Sequence, residues 1–510
     1  GEDGKLDRVR GGNSDFHDNS ADVFLLNIDY AMGDLTLTSV TGYLEYEFQQ
    51  DCDCDFTSAS IFNALIDEEF EQFSQELRLT SPGGETIDYI VGLYYQTNEL
   101  DFNDSINVDE NSLLRVISGS FSGIDTQRFA NQESDSWAVF GQATWNISDV
   151  LRLTVGARYT EEDKEATKEQ IHFAGDVQFP PTDPAGTVPN VYYGINPLFG
   201  AFNIEPYSEI KGKRSEDAIN PLVTLQYDWG DDVMLYATYV DGFKAGGFDI
   251  RSNAHPDPAV VNSCRLDTSI SPPPCVQDLV GVFEFEDEEA TNYDLGAKWA
   301  ISGTAELNTA IYFTEYTDLQ TSQFDGVLGF NVTNAGEAEI WGIELDGRWA
   351  LTDRLTLLGA VAYLDFEYTD FKNNQCYFGQ RQSDPGSVQP GGVTCDATGK
   401  RKEYTPEYSG VVSADYVMPL GSSLELRGIV DLVFSDDYIY NPTLDPRSEQ
   451  DAYANWNLRL SLGAADGSWD VAFIGKNLND EDVVTYGGEA PLAGSLTGGT
   501  GMAYYKFLDR

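Results

Sequence analysis

Along much of this chain apolar and polar side chains alternate one for one over stretches of about ten residues, roughly twice the usual strand length of soluble proteins. Leu151, Leu153, Val155, Ala157 and Tyr159 alternate with Arg152, Thr154, Gly156, Arg158 and Thr160. Tyr293, Leu295, Ala297, Trp299 and Ile301 do so against Asn292, Asp294, Gly296, Lys298 and Ala300. The pattern returns from Leu424 to Phe434 and from Trp456 to Leu462. A period of two sends successive side chains to opposite faces of a strand, and long runs with one apolar face mark strands that cross a bilayer as a barrel wall. The connecting segments alternate too. Short turns fall at Met32 to Asp34, Ser81 to Glu85, Asn146 to Asp149, Gly230 to Asp232, Ser302 to Gly303, Thr352 to Asp353, Pro419 to Ser422 and Ala464 to Gly467. Long irregular stretches, among them 163 to 214, 249 to 283 and 371 to 404, lie between them. Tight periplasmic turns and long extracellular loops give that asymmetry. The pattern therefore predicts an all-β fold, a transmembrane antiparallel up-and-down β-barrel, with about 16–17 strands in this chain. The last of them begins at Gly501 to Arg510, and the first, Ala21 to Ala31, descends into a short turn.

Trp137 and Trp145 stand at the two ends of one run on its apolar face. The residues between them, tilted in a barrel, span roughly 20 Å, close to the apolar band that aromatic girdles flank. On this register Trp137, Trp145, Trp299, Trp349 and Trp456 face lipid, and Asp294, Lys298, Glu344, Asp346, Arg348, Glu425, Arg427, Asp431 and Arg459 face the lumen. No run of about 18 apolar residues occurs, so transmembrane helices are excluded. Aromatic residues make up 13% of the chain and 48 glycines accompany them, a composition of strands and turns. The formal net charge of -55 excludes nucleic acid, whose phosphates it would repel. Three histidines, His17, His172 and His255, lie far apart, no nucleophile elbow or phosphate loop is present, and the chain reads as no enzyme. Six cysteines fall in near pairs in loop segments. They predict disulfides Cys264 to Cys275 and Cys376 to Cys395, made outside the cytoplasm; Cys52 and Cys54 are a third candidate pair, whose bridge across one residue would be strained.

The mid-chain segment Tyr236-Ala237-Thr238-Tyr239-Val240-Asp241-Gly242-Phe243-Lys244-Ala245-Gly246-Gly247-Phe248 resembles the Gly-rich aromatic signature of TonB-dependent outer-membrane receptors. Ser74 to Leu79, Val155 to Thr160, Asn292 to Lys298, Asn334 to Glu344 and Lys476 to Asp482 resemble further segments of that family in the same order. These are barrel parts rather than chemistry: Gly246 and Gly247 relieve crowding where a strand leaves the membrane, and Asn334-Ala335-Gly336 bends a strand or admits another backbone. The resemblance implies a barrel of about 22 strands around an N-terminal plug. On that count residues 1–510 are an incomplete barrel domain, with the plug and about five strands before Gly1 and the last strand cut after Arg510. It further implies an active transporter in the outer membrane of a Gram-negative cell, importing a ferric siderophore or similar iron chelate into the periplasm. Energy would come from the TonB-ExbB-ExbD complex through the plug. An oligosaccharide, cobalamin or another large nutrient is the alternative cargo. A passive porin is the alternative of a different class, and a soluble β-propeller is disfavoured by the strand length.

Candidate sites follow the loops. Tyr192, Tyr193, Phe199, Phe202 and Tyr207 crowd one long loop and could stack on a catecholate chelate or a sugar ring, or simply pack on one another. Two basic clusters, Lys211, Lys213 and Arg214, then Lys400, Arg401 and Lys402, stand at the outer rim. They could grip lipid or lipopolysaccharide phosphates, draw in an anionic chelate, or remain solvated. Asp51, Asp53 and Asp55, and the run Glu284 to Glu289, could hold a structural calcium ion; no other cofactor is expected.

Overall fold

The computed structural model describes residues 16–53, 61–108, 112, 124–174, 177–179, 207–252, 283–324, 330–377, 380, 394–489 and 504–509. Long strands that pair with their sequence neighbours dominate them. The first eight are β1 (Phe16–Met32), β2 (Leu35–Cys52), β3 (Asn63–Thr80), β4 (Ile87–Val108), β5 (Ile124–Ser148), β6 (Leu151–Ala174), β7 (Tyr207–Asp228) and β8 (Val233–Lys244). The next eight are β9 (Glu288–Ser302), β10 (Ala305–Thr317), β11 (Glu337–Ala350), β12 (Leu355–Asp370), β13 (Tyr408–Leu420), β14 (Leu424–Ser435), β15 (Tyr453–Ala464) and β16 (Asp470–Gly475). All pairings are antiparallel and run in chain order from β1 to β16; no ladder joins those two strands among the described residues. The seventeenth strand of this sheet, Val177–Phe179, only folds back on β6. The architecture is the expected all-β meander, and no described helix is long and apolar enough to cross a membrane.

Boundaries differ from the sequence reading in three places, the largest being the stretch 163 to 214, expected to be irregular, into which β6 runs as far as Ala174 and in which β7 begins at Tyr207. β1 begins at Phe16, before Ala21, because its polar start pairs with the equally polar top of β2. The strand expected from Gly501 is Tyr504–Asp509, and it pairs with Val483–Glu489 outside the main sheet. The short turns lie where expected. Gly33 (φ 68°) and Gly467 (φ 73°) take the left-handed conformation that a tight reversal needs and a side chain resists.

The register sets the faces. Trp137, Trp145, Trp299, Trp349 and Trp456, all on the outward face, are 42–51% exposed. Tyr239, Tyr293, Phe313 and Trp341 stand directly opposite one another across β8, β9, β10 and β11, forming a belt at one height. Ring centroids lie 5.4 Å apart for Tyr239 and Tyr293 and 5.0 Å apart for Trp341 and Tyr363. Each such cross-strand aromatic pair contributes about 0.2–1 kcal/mol.

The inward face uses a different device. Phe140 lies opposite Gly92, Tyr236 opposite Gly296 and Tyr312 opposite Gly342, and each ring covers the glycine. A Cβ at any of these glycines would collide with the ring. The wall thus keeps large aromatic side chains flat against itself, leaving the lumen to polar groups. The apolar core lies instead toward the long connections, where Leu319, Ala335, Ala338, Phe366, Tyr368, Phe371, Ala397 and Leu444 cluster.

Valine at Gly296 should lower stability by about 1–3 kcal/mol through overpacking. The change is read as a lower urea midpoint, whereas alanine at Gly303, with nothing within 4 Å, should leave the midpoint in place. In bilayers containing brominated lipid, the fluorescence of Trp137 and Trp299 in single-tryptophan variants should be quenched; unquenched emission would mean that the two faces are exchanged.

Candidate functional site

The end of the barrel that carries the long connections forms a mouth, and its inner wall is built by the even-numbered residues of β6. Lys164, Ala166 and Lys168 share the face of Arg152 and Arg158, opposite that of Tyr159. At Gly246 and Gly247 the chain leaving β8 turns inward against this wall. A side chain at Gly246 would strike the Phe285 carbonyl, and one at Gly212 would strike the Phe248 ring. Phe248 packs on Ala166 and Phe283, its ring 5.0 Å from that of Phe283.

Buried charges then fix the root of this connection. Lys168, 1% exposed, donates to the carbonyls of Asp249 at 2.9 Å and Ser252 at 2.6 Å. Arg128, 4% exposed, pairs with Asp104 through two nitrogens and donates to the Arg251 carbonyl at 2.8 Å. The Asp249 carboxylate accepts the Val332 N–H at 2.7 Å. Burial pushes the Asp249 carboxyl up, and the Lys168 ammonium beside it opposes that rise. Ions withdrawn from water this far are retained only when their partners are complete.

A second knot lies beside the first. Arg214 reaches Glu286 at 2.8 Å and Glu284 at 3.4 Å and also pairs with Glu216. Glu216 accepts the Gly246 N–H at 2.8 Å, and Lys164 donates to the Gly246 carbonyl at 2.8 Å. Glu216, Glu286 and Asp287 bring carboxylate oxygens within 4.8 Å of one another, a set that could take a hard cation. Arg214 already supplies positive charge there. Asn334 fastens the next connection, donating to the carbonyls of Glu286 at 2.9 Å and Asp318 at 2.8 Å and accepting the Glu286 N–H at 2.9 Å. Gly336 follows because the Asp370 carbonyl occupies the space of a Cβ, the backbone approach expected of this segment. Burial raises the Asp318 carboxyl, and the nearby Asp287, Glu286 and Glu337 raise it further.

The structure divides the basic cluster of β7. Alternation sends Lys211 and Lys213 outward, 71% and 68% exposed and paired with Glu209 and Glu165. Arg214 goes inward, only 12% exposed. In the second cluster Arg401 pairs with Asp437, Lys402 with Glu403 at 2.8 Å, and the Lys400 carbonyl accepts the Tyr368 N–H at 2.9 Å. Arg401 and Lys402 are thus engaged by carboxylates of this chain, whereas Lys400 is held here through its backbone. Tyr207 starts β7, while Tyr192, Tyr193, Phe199 and Phe202 lie outside the described residues. Cys376 is bonded to Cys395, with Cα atoms 5.0 Å apart. Cys52 is disulfide-bonded, and Cys54, Cys264 and Cys275 lie outside the described residues. Asp51 accepts from Asn63 at 3.2 Å, Asp53 sits at the end of β2, and Asp55 is outside the described residues.

Lower in the lumen charges are paired across strands: Arg152 with Asp228 at 2.7 Å, Arg427 with Asp415 at 2.5 Å and Arg459 with Asp470 at 3.1 Å. Arg158 lies over the rings of Tyr94 and Phe140. Sequence reasoning missed Arg128 and Lys168. Their inward position was readable from alternation, but their partners stand 123 and 81 residues away.

A wall of this kind invites comparison with known barrels. The family model for TonB dependent receptor-like β-barrels matches residues 2–478. This chain belongs to that family. Among curated relatives of this TonB-dependent receptor, the pesticin receptor of Yersinia enterocolitica is 23% identical over 303 residues, 59% of this chain and 34% of the relative. The pesticin receptor of Yersinia pestis matches to the same extent. Among solved structures, the ferric yersiniabactin uptake receptor FyuA from Yersinia pestis superposes with a TM-score of 0.67 at 17% identity, over 94% of this chain and 60% of that one. The siderophore receptor PiuA from Acinetobacter baumannii gives 0.64 at 14% identity, over 95% and 64%. At such identities the likeness is one of fold. The match spans about a third of the curated relatives' length and less than two thirds of these solved chains.

Methionine at Lys168 should leave two carbonyls unpaired at about 1–3 kcal/mol each. Hydrogen exchange should then speed up over 245–252 while the lower half of β6 keeps its protection; unchanged exchange at 245–252 would show that Lys168 does not hold the connection.

Proposed function

We propose that this TonB-dependent receptor is an active transporter of the outer membrane of a Gram-negative cell, and that its cargo is a ferric siderophore or a similar iron chelate. The observation that carries the reading is the family match along the wall, from residue 2 to 478. Support for the cargo comes from the similar structures, which include receptors for ferric yersiniabactin, siderophores and ferric citrate. The geometry adds that the inner wall is polar, with several charges paired across strands, which suits a wall facing a packed polar domain. In this reading a plug domain fills the lumen and couples the barrel to TonB, ExbB and ExbD, because a wide barrel without a plug would be an open hole. Lipopolysaccharide surrounds the barrel. No resident cofactor or catalytic group is part of the mechanism.

Transport then follows from a separation of tasks. The mouth, with its connections fixed inward by Lys168, Arg128 and Asn334, offers a preformed surface on which a large chelate can dock without ordering long loops. Passage needs work that the outer membrane cannot supply, so it must be drawn from the inner membrane.

In cells expressing the full-length receptor, binding of a labelled ferric chelate should persist when a protonophore is added or TonB is deleted, while uptake stops. Uptake that continues undiminished and rises linearly with concentration would make the protein a passive porin. Energy-dependent uptake of an oligosaccharide or cobalamin, with none of the ferric chelate, would keep the transporter class and overturn the cargo.

A further inference from the structure

Above the aromatic belt the two faces of β2, β3 and β4 change character together. Trp137, Tyr95, Gln75 and Thr41 stand opposite one another on the outward face, so the odd-numbered residues of β2 point out and the even-numbered ones into the lumen. Below Tyr43, Leu37 faces out while Thr38 and Gly42 face in; above it Glu45 and Glu47 face out while Leu44, Tyr46 and Phe48 face in. On β3 Glu69 and Glu71 are outside and Phe70 inside, and on β4 Glu99 and Asp101 are outside and Leu100 and Phe102 inside. A wall that rises out of a bilayer into water needs polar groups on its outer face, which accounts for the acids. That requirement does not account for an aromatic inner face, since lower down the lumen side is the polar one.

Part of this inner shelf is used by the chain itself. Phe102 is fully buried, and the Arg251 guanidinium, on the connection fixed by Lys168, lies 5.8 Å from its ring. Toward β1 the shelf is open. Tyr46 and Phe70 stand directly opposite and stack, with ring centroids 5.2 Å apart and planes 24° from parallel. The Tyr46 hydroxyl donates to Glu68, which holds the ring in place. Leu44, Tyr46, Phe48, Phe70 and Leu100 are all half-buried. A recess of about 440 Å³ opens there, lined by Asn19, Ala21, Leu44, Tyr46, Phe48 and Glu68.

Charge decides what the recess accepts. Arg78, near the short turns and paired with Glu76, is the only lysine or arginine of β1 to β4. Glu68 in the recess and Glu45, Glu47, Asp67 and Glu69 on the same strands set a negative potential, in a chain whose net charge is -55. A cleft of one sign concentrates ligands of the opposite sign and repels its own. Aromatic faces attract cations and stack on other rings, and the electropositive edge of a ring suits a carboxylate.

We propose that this recess is a cargo subsite for a planar aromatic ring on an iron chelate that carries no net negative charge. The ring lies against Tyr46 and Phe70 with its edge toward Glu68, and strongly anionic chelates are turned away. The inference rests on reading the protein as a ferric-chelate transporter and names the class of chelate.

The test measures equilibrium binding of three hexadentate complexes of radiolabelled iron to the purified full-length receptor. A hydroxypyridinone complex is aromatic and uncharged, a catecholate complex is aromatic and strongly anionic, and a hydroxamate complex is uncharged and lacks rings. The hydroxypyridinone complex should bind about tenfold more tightly than either of the others, the factor that two ring contacts or a few like charges supply. Its advantage over the catecholate should narrow at high salt, while its advantage over the hydroxamate persists. The double variant Tyr46→Leu, Phe70→Leu should lose most of the advantage over the hydroxamate. Glu68→Gln should strengthen catecholate binding by about fivefold, the upper range of one exposed charge contact. Heat-resistant migration on a gel checks that each barrel is folded. Equal or tighter binding of the catecholate or the hydroxamate by the unmodified receptor overturns the proposal without any variant. So does a folded double variant that keeps the full ranking. Both results leave the ferric-chelate reading in place, whereas failure of all three complexes to bind overturns the two together.

Discussion

Inside a bilayer no water is present to satisfy a backbone N–H or C=O, so every residue of the wall must be hydrogen-bonded to a neighbouring strand. The continuous ladder from β1 to β16 meets that requirement for the strands between those two, and the remaining features inherit its geometry. Because pairing fixes which residues stand opposite, it also fixes which meet side by side on each face. Tyr236 can lie over Gly296 only in the register that brings Tyr293 beside Tyr239, so lumen and lipid surfaces are specified together. A slip by one residue would reverse both.

Beyond the aromatic belt the same strands rise into water, and there the constraint changes. Connections no longer need sheet partners, yet their roots are held against the inner wall by groups that are costly to bury. Lys168 and Arg128 each lose hydration and recover it from backbone carbonyls and Asp104. Buried ions are poor sources of net stability, but removing one partner leaves a large penalty, so they discriminate strongly against other arrangements. Arg214 among Glu216, Glu284 and Glu286 works alike, and Phe248 and Phe283 add an apolar seal. A receptor mouth built this way presents a defined surface at the base of its long connections.

The large negative charge is distributed with the same regularity. Inside, several acids are matched with arginines or hydroxyls, as for Asp228, Asp415 and Asp431. Outside, above the belt, they stand opposite one another in rows that few bases interrupt. The two faces of one strand therefore differ: the inner face carries ion pairs across strands, and the outer face above the belt carries opposed acids.

Period-two alternation, aromatic placement and turn length are local properties, and from them the strand number, the lipid and lumen faces and the short turns of this barrel were legible before any coordinates. Of the two readings open for Asn334-Ala335-Gly336, a bend or the approach of another backbone, the structure shows the second at Gly336. What alternation cannot reveal is who stands opposite. Lys211, Lys213 and Arg214 read as one basic patch in sequence, yet the pleat sends two of them outward and buries the third among carboxylates. Lys168 finds Asp249 and Arg128 finds Arg251 only after the chain has passed through β7 and β8 and turned back at Gly246. The opposition of Glu315, Glu339 and Glu367 exists only because three strands pair in one register. Sequence by itself determined the wall, since each strand carries its own two faces; tertiary structure alone decided the mouth and the charge rows, because both depend on contacts between residues that no local pattern relates.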